Sequence, residues 1–205
     1  MKKLVVSSGS FNPPTLAHFN LLLQSLDHLH ADIGVFMPAS NEYLKAKMKK
    51  KGETTVYSDE DRIHMLSLYA KEDSRIKISL NEIMGEASSE YTYRSLCRLQ
   101  KDYPGYELYY IVGGDNFAWI PSWHDIEDFL SSFHFLVFDR LGIDSRKSLQ
   151  NSPILSKFSE KFEFITFDNE LSKISSTEVR RLLREKNSEY RNYLLPSVAA
   201  YLESL

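Results

Sequence analysis

Short apolar runs alternate with segments of helical period along this chain. Leu4-Val5-Val6, Ile33 to Met37, Ile76 to Ile83, Leu108 to Val112, Phe133 to Phe138 and Phe162 to Phe167 have the length and composition of strands. Between them the pattern predicts helices over Thr15 to His30, Asp59 to Lys71, Thr92 to Asp102, Trp123 to Ser131 and Thr177 to Glu185. A last amphipathic stretch runs from Glu189 to Leu205 and is interrupted at Pro196. Strand alternating with helix predicts an α/β fold: a Rossmann-like parallel sheet with helices on both faces and a small helical C-terminal part. The expected organisation is a single domain over residues 1–205, in which about 168–205 forms the helical subregion. Two stretches break the rhythm. Lys45 to Glu53 is basic and carries a glycine, which predicts a mobile loop. Leu141 to Ser159 is rich in Ser, Gly and Pro and predicts a crossover toward the C-terminal part.

Composition narrows the picture. A chain of 205 residues can bury one sizeable core, and 42% hydrophobic with 26% charged residues is ordinary for a globular protein. A net charge of -3 argues against nucleic acid as the main partner, since a duplex binder carries a clearly basic face. The single cysteine, Cys97, excludes an intramolecular disulfide and a paired-cysteine metal site, and its apolar helical setting reads as a buried structural thiol. No apolar run approaches the ~20 residues of a membrane span. Lys2-Lys3 followed by Leu4-Val5-Val6 is too short for a signal segment, so a cytoplasmic protein without a membrane partner is expected. The sequence leaves open whether the chain forms a homo-oligomer.

Chemistry concentrates in two turns. The first, Ser8-Gly9-Ser10-Phe11-Asn12-Pro13-Pro14-Thr15-Leu16-Ala17-His18, follows the first strand and enters a helix. Glycine permits close backbone approach, the prolines suit a helix entry, and the helix start offers N–H groups and a positive dipole end to an anion. His18 falls in the first helical turn, off the stripe of Leu16, Phe19, Leu23 and Leu26, where it can face a ligand. The second turn, Ile174-Ser175-Ser176-Thr177-Glu178-Val179-Arg180, opens a later helix. Ser175 and Glu178 make a capping box, while three successive hydroxyls and a guanidinium are equally suited to hold phosphate. A third feature, Gly113-Gly114-Asp115, ends a strand where a parallel sheet presents ligand contacts. Its carboxylate suits ribose hydroxyls and its glycines suit close approach of a base.

The first turn resembles the G-x-F-x-P-x-[HT]-x-x-H signature of the nucleotidyltransferase superfamily with an HxGH-type motif. That superfamily includes the nicotinate and nicotinamide mononucleotide adenylyltransferases. The second turn resembles its ISSTxIR motif, and Gly113-Gly114-Asp115 its G-x-D. The resemblance extends through Met37-Pro38-Ala39 to Lys45, Tyr57-Ser58 to Met65 with Arg62, and Ser89 to Leu96. It continues through Ile120 to Trp123, Val137 to Arg140 and Leu195 to Val198. Two positions depart from the bacterial nicotinate-specific pattern: Thr15 stands where His is usual, and Ala17 replaces glycine.

The resemblance implies adenylyl transfer from ATP to a pyridine mononucleotide, with Mg²⁺ carried on the ATP and no metal ligands from the protein. It implies catalytic roles for His18, Lys45 and Arg180. ATP would be bound by Gly9, Ser10, Phe11, Thr15, His18, Gly113, Asp115, Ile174, Ser175, Ser176, Thr177 and Arg180. The pyridine nucleotide would meet Ser10, Phe11, Lys45, Tyr91, Thr92, Trp123 and Arg140. Thr15 keeps phosphopantetheine or another phosphate acceptor as an alternative, and a non-catalytic ATP- or NAD-binding relative is a second one. Nicotinate and nicotinamide acceptors are not distinguished by the sequence.

Overall fold

The computed structural model describes residues 1–85, 92–139, 143–166 and 173–205. Its sheet has six strands: β1 (Lys2–Gly9), β2 (Ile33–Pro38), β3 (Ile76–Ile78), β4 (Tyr106–Gly113), β5 (His134–Asp139) and β6 (Phe162–Thr166). Every neighbouring pair is parallel, and the order is β3-β2-β1-β4-β5-β6. This is the expected Rossmann-like α/β sheet. The order reverses between β1 and β4, and that reversal opens a crevice at the carboxyl ends of the two strands.

Side chains alternate between two cores, as a sheet covered on both faces requires. Val5, Phe36, Ile111 and Leu136 face one core with α1 (Leu16–Leu29) and α3 (Asp59–Ala70). Leu4, Val6, Met37, Val112 and Val137 face the other, with α4 (Thr92–Asp102), α6 (Ile126–Ser132) and α8 (Pro153–Lys157). The C-terminal helices α9 (Ser176–Arg184) and α10 (Pro196–Ser204) join the first core through Val179, Leu182, Val198 and Ala199. The second turn is thereby carried back to the first.

Four expectations are corrected. Lys45 to Glu53 is not a loop: α2 runs over Asn41–Lys50. Ser40 caps its start, Leu44 and Met48 bury one turn apart, and Gly52 closes it at φ 68. The third strand stops at Ile78 instead of reaching Ile83, because residues 81–85 form turns. Between Leu141 and Ser159 lie α7 (Ser145–Asn151) and α8, each started by a polar cap, Asp144 and Ser152. In α1 the buried stripe is Phe19, Leu22, Leu26 and Leu29, so Leu22 replaces Leu23 at its centre.

α5 (Gly114–Phe117) leaves β4 at a crowded corner. A Cβ at Gly114 would lie 2.5 Å from Asp139 Oδ1, 2.7 Å from Ser145 Oγ and 2.8 Å from Ile143 Cγ2. Asp139 cannot yield easily, since it accepts from Ser145 Oγ at 2.5 Å and from its backbone N–H. Gly114 therefore allows close packing between β4, β5 and α7. We expect Gly114→Ala to lower stability by about 1–3 kcal/mol, read as a fall in unfolding temperature.

Candidate active site

A cavity of about 690 Å³ opens at the strand-order reversal. Ser8 and Gly9 at the end of β1, and Ala39 and Ser40 after β2, form one side. Thr92, Tyr93, Asn116 and Trp123 form the other, with Tyr110 between them, its hydroxyl 2.6 Å from Ser8 Oγ. Burial pushes the Tyr110 phenol well above its ordinary range, so it stays protonated and serves as a neutral hydrogen-bonding wall.

The bend of the first turn does not rest on its glycine. The residue in the left-handed region is Phe11 (φ 43), not Gly9. Phe11 is buried, and its ring packs edge-on to Phe36 at 5.4 Å and to His18 at 5.1 Å, which fixes the bend. Thr15 is the N-cap of α1, and its backbone N–H donates to His18 Nδ1 at 3.0 Å. Thr15 Oγ1 lies 2.8 Å from the same nitrogen. A backbone N–H can only donate, so Nδ1 is the acceptor and the neutral ring carries its hydrogen on Nε2. The replacement of His by Thr at position 15 thus leaves a residue that orients His18.

The second turn is bonded directly to the first. Ser176 Oγ donates to the Pro13 carbonyl at 2.8 Å, and Arg180 Nη1 donates to the Asn12 carbonyl at 2.6 Å, across 163 and 168 positions of sequence. Ser175 Oγ accepts from Glu178 N at 3.1 Å and so caps α9. The helix starts of α1 and α9 therefore face one region, each offering its positive end. Arg180 is only 2% exposed, with Nε on Glu53 Oε2 at 2.6 Å and Nη2 on Thr177 Oγ1 at 3.3 Å. His18, Ser175, Ser176, Thr177 and Arg180 do not line the cavity itself but lie beside it.

Two residues that sequence reasoning left in minor roles hold the site together. Arg62 is fully buried; it donates to the carbonyls of Ser10 (2.8 Å) and Ala39 (2.7 Å) and pairs with Asp59. It bridges the ends of β1 and β2. Asn12 is also buried, donating from Nδ2 to the Thr55 carbonyl at 2.8 Å and accepting at Oδ1 from Tyr57 N at 2.9 Å. An asparagine inside a Pro-rich turn after a strand gave the only hint of that second clamp.

Among the lysines of α2, Lys47 lines the cavity and Lys45 does not. Lys45 is exposed, whereas Lys47 is half-buried, lines the cavity and donates to Ser10 Oγ at 3.1 Å. On a helix with Leu44 and Met48 turned inward, residues 45 and 47 leave on opposite flanks. Burial lowers the Lys47 pKa, aided by repulsion from Lys51 and Arg180 and opposed by Asp115. Asp115 is near enough to act on Lys47 but does not line the cavity, whereas its neighbour Asn116 does. Trp123 and Thr92 line the cavity, and Trp123 packs on Phe129 at 5.7 Å. Trp119 is 68% exposed. Tyr91 and Arg140 lie outside the described residues.

The family model described as cytidylyltransferase-like matches residues 6–182, from the end of β1 into α9, and so takes in both turns. The chain belongs to the cytidylyltransferase-like family. Among curated relatives, a "Probable nicotinate-nucleotide adenylyltransferase" of Clostridium botulinum is 28% identical over 182 residues, covering 88% of this chain and 86% of the relative. One of the same name from Clostridium acetobutylicum is 29% identical over 198 residues, covering 96% and 93%. Among solved structures, Plasmodium falciparum nicotinic acid mononucleotide adenylyltransferase complexed with APC superposes with a TM-score of 0.74 at 20% identity, covering 100% of this chain and 96% of that one. The same enzyme complexed with NaAD gives 0.74 at 21% identity. The resemblance to mononucleotide adenylyltransferases read from the two turns therefore holds along nearly the whole family domain.

Proposed function

We propose that the protein transfers the adenylyl group of ATP to nicotinate mononucleotide, with nicotinamide mononucleotide as a further acceptor, releasing pyrophosphate in the cytoplasm. One observation carries the reading: the two phosphate-type turns are hydrogen-bonded to each other beside a cavity at the strand-order reversal. An acceptor phosphate oxygen attacks the α-phosphorus in line, and the pyrophosphate leaves. Two multiply charged anions must be brought together, so the protein's work is positioning and charge stabilisation. His18 donates from Nε2 to the α-phosphate, where charge builds. The N–H groups and hydroxyls of Ser175, Ser176 and Thr177 hold the tail with Arg180. Thr92 and Trp123 hold the acceptor's ring in the cavity, and Lys47 offsets the charge of its phosphate. No group of three His, Cys, Asp or Glu residues among the described residues could hold a metal. Mg²⁺ fits here as part of the ATP substrate, bound through phosphate oxygens and water.

Lys47→Ala should raise the acceptor KM by roughly tenfold, the worth of one charge-assisted contact, whereas Lys45→Ala should leave it unchanged. Because burial lowers the Lys47 pKa, its ammonium is lost as pH rises through a value below that of an ordinary lysine. The acceptor KM should therefore climb on the alkaline side, and Lys47→Arg should move that climb to higher pH. Pyrophosphate release with ATP and Mg²⁺ tests the assignment, comparing nicotinate mononucleotide, nicotinamide mononucleotide and phosphopantetheine. Release with a pyridine mononucleotide is expected. Release with phosphopantetheine alone would move the acceptor, and release with none would leave a binding protein.

A further inference from the structure

Arg180 is the guanidinium of the second turn, yet each of its three nitrogens already has a partner within the chain. Nη1 holds the Asn12 carbonyl, Nη2 holds Thr177 Oγ1, and Nε holds Glu53 Oε2 at 2.6 Å. The Glu53 carboxylate also lies 3.8 Å from Arg184 Nη1, and it feels the charge of Lys51. A single acid thus sits among three cations beside the helix start of α9, in the electrostatic setting a phosphate would seek. Hydrogen bonding from Arg180 holds the Glu53 carboxyl below its usual range, so it is anionic at neutral pH.

The local chain lets this contact open without disturbing the fold. Gly52 is left-handed at φ 68, with Gly52 N–H on the Lys49 carbonyl (3.1 Å) and Glu53 N–H on the Met48 carbonyl (3.0 Å), which closes α2. The backbone at position 53 is thereby pinned, and only the side chain, 14% exposed, needs to turn away.

We propose that the Glu53 carboxylate is an internal competitor for polyphosphate: it occupies the Arg180–Arg184–Lys51 cluster in the free protein and is displaced when the ATP tail binds. Lys51 and Arg184 thereby join the polyphosphate site. The inference rests on the reading of the second turn as that site. Occupancy by Glu53 lowers the apparent affinity for any polyphosphate by the fraction of molecules in which the cluster is closed.

Isothermal titration with inorganic pyrophosphate, and with ATP in the absence of acceptor, tests this on the full chain. Glu53→Gln keeps the shape and removes the charge. It should bind pyrophosphate roughly tenfold more tightly, with the acceptor KM unchanged. A Glu53 that merely holds the fold predicts the reverse, and equal or weaker pyrophosphate binding by the folded variant would overturn the proposal. Should Glu53→Gln fail to fold, Glu53→Asp withdraws the carboxylate by one methylene and is judged by the same two outcomes. Tighter pyrophosphate binding in a protein that transfers no adenylyl group would sink the functional reading and leave this one standing.

Discussion

Replacing His18 by alanine should lower kcat by about a hundredfold or more with the fold intact, the scale of losing one transition-state donor. The geometry explains why kcat should carry the loss. Thr15 occupies His18 Nδ1 through its backbone N–H, which places the ring's hydrogen on Nε2. Phe11 packs edge-on against the ring at 5.1 Å, so the imidazole is fixed before substrate arrives. A donor fixed in advance gains most where charge develops, and its removal shows in turnover more than in KM. Steady-state kinetics with circular dichroism as the fold control measures this. A His18→Ala protein with unaltered turnover would remove His18 from the reaction.

Arg62→Met should be the most destabilising single change at the site, costing about 3–5 kcal/mol. The substitution leaves the Ser10 and Ala39 carbonyls and the Asp59 carboxylate without their partner at a fully buried position. For a chain of this size that corresponds to a fall in unfolding temperature of roughly 6–20 °C. Arg62→Lys should recover little, because one ammonium on a flexible stem does not reproduce a planar fork reaching two carbonyls. Calorimetry decides the matter, and an unchanged unfolding temperature for Arg62→Met would show that the bridge between β1 and β2 is dispensable.

The fold was legible where the pattern had a period to read. The run Leu4-Val5-Val6 alternates across the sheet, and α1 shows its stripe, so strand and helix followed from spacing. The errors have local causes. The lysines of α2 masked a helix, because charge says little about backbone when Leu44 and Met48 are the only buried anchors. The Ser40 cap and Gly52 were the available signals, since they bracket the segment as a start and a stop. The different settings of Lys45 and Lys47 were hidden by the same miss, as only a helical register separates their flanks. In the site, the two turns could be recognised one at a time, but their bonding could not. Ser176 meets Pro13 because α9 packs on the first core, a tertiary fact without a local mark. The buried fork of Arg62 was equally hidden, since a helix-start arginine is most often solvated.

The central claim is that the two joined turns direct attack on the α-phosphorus of ATP. The direct measurement follows label from ATP carrying ³²P at either the α- or the γ-position, incubated with Mg²⁺ and nicotinate mononucleotide. The account predicts α-label in the dinucleotide and γ-label in pyrophosphate, in equal amounts and both formed about a hundredfold or more slowly by His18→Ala. Appearance of γ-label in orthophosphate or on the acceptor, with α-label left in ADP, would contradict it.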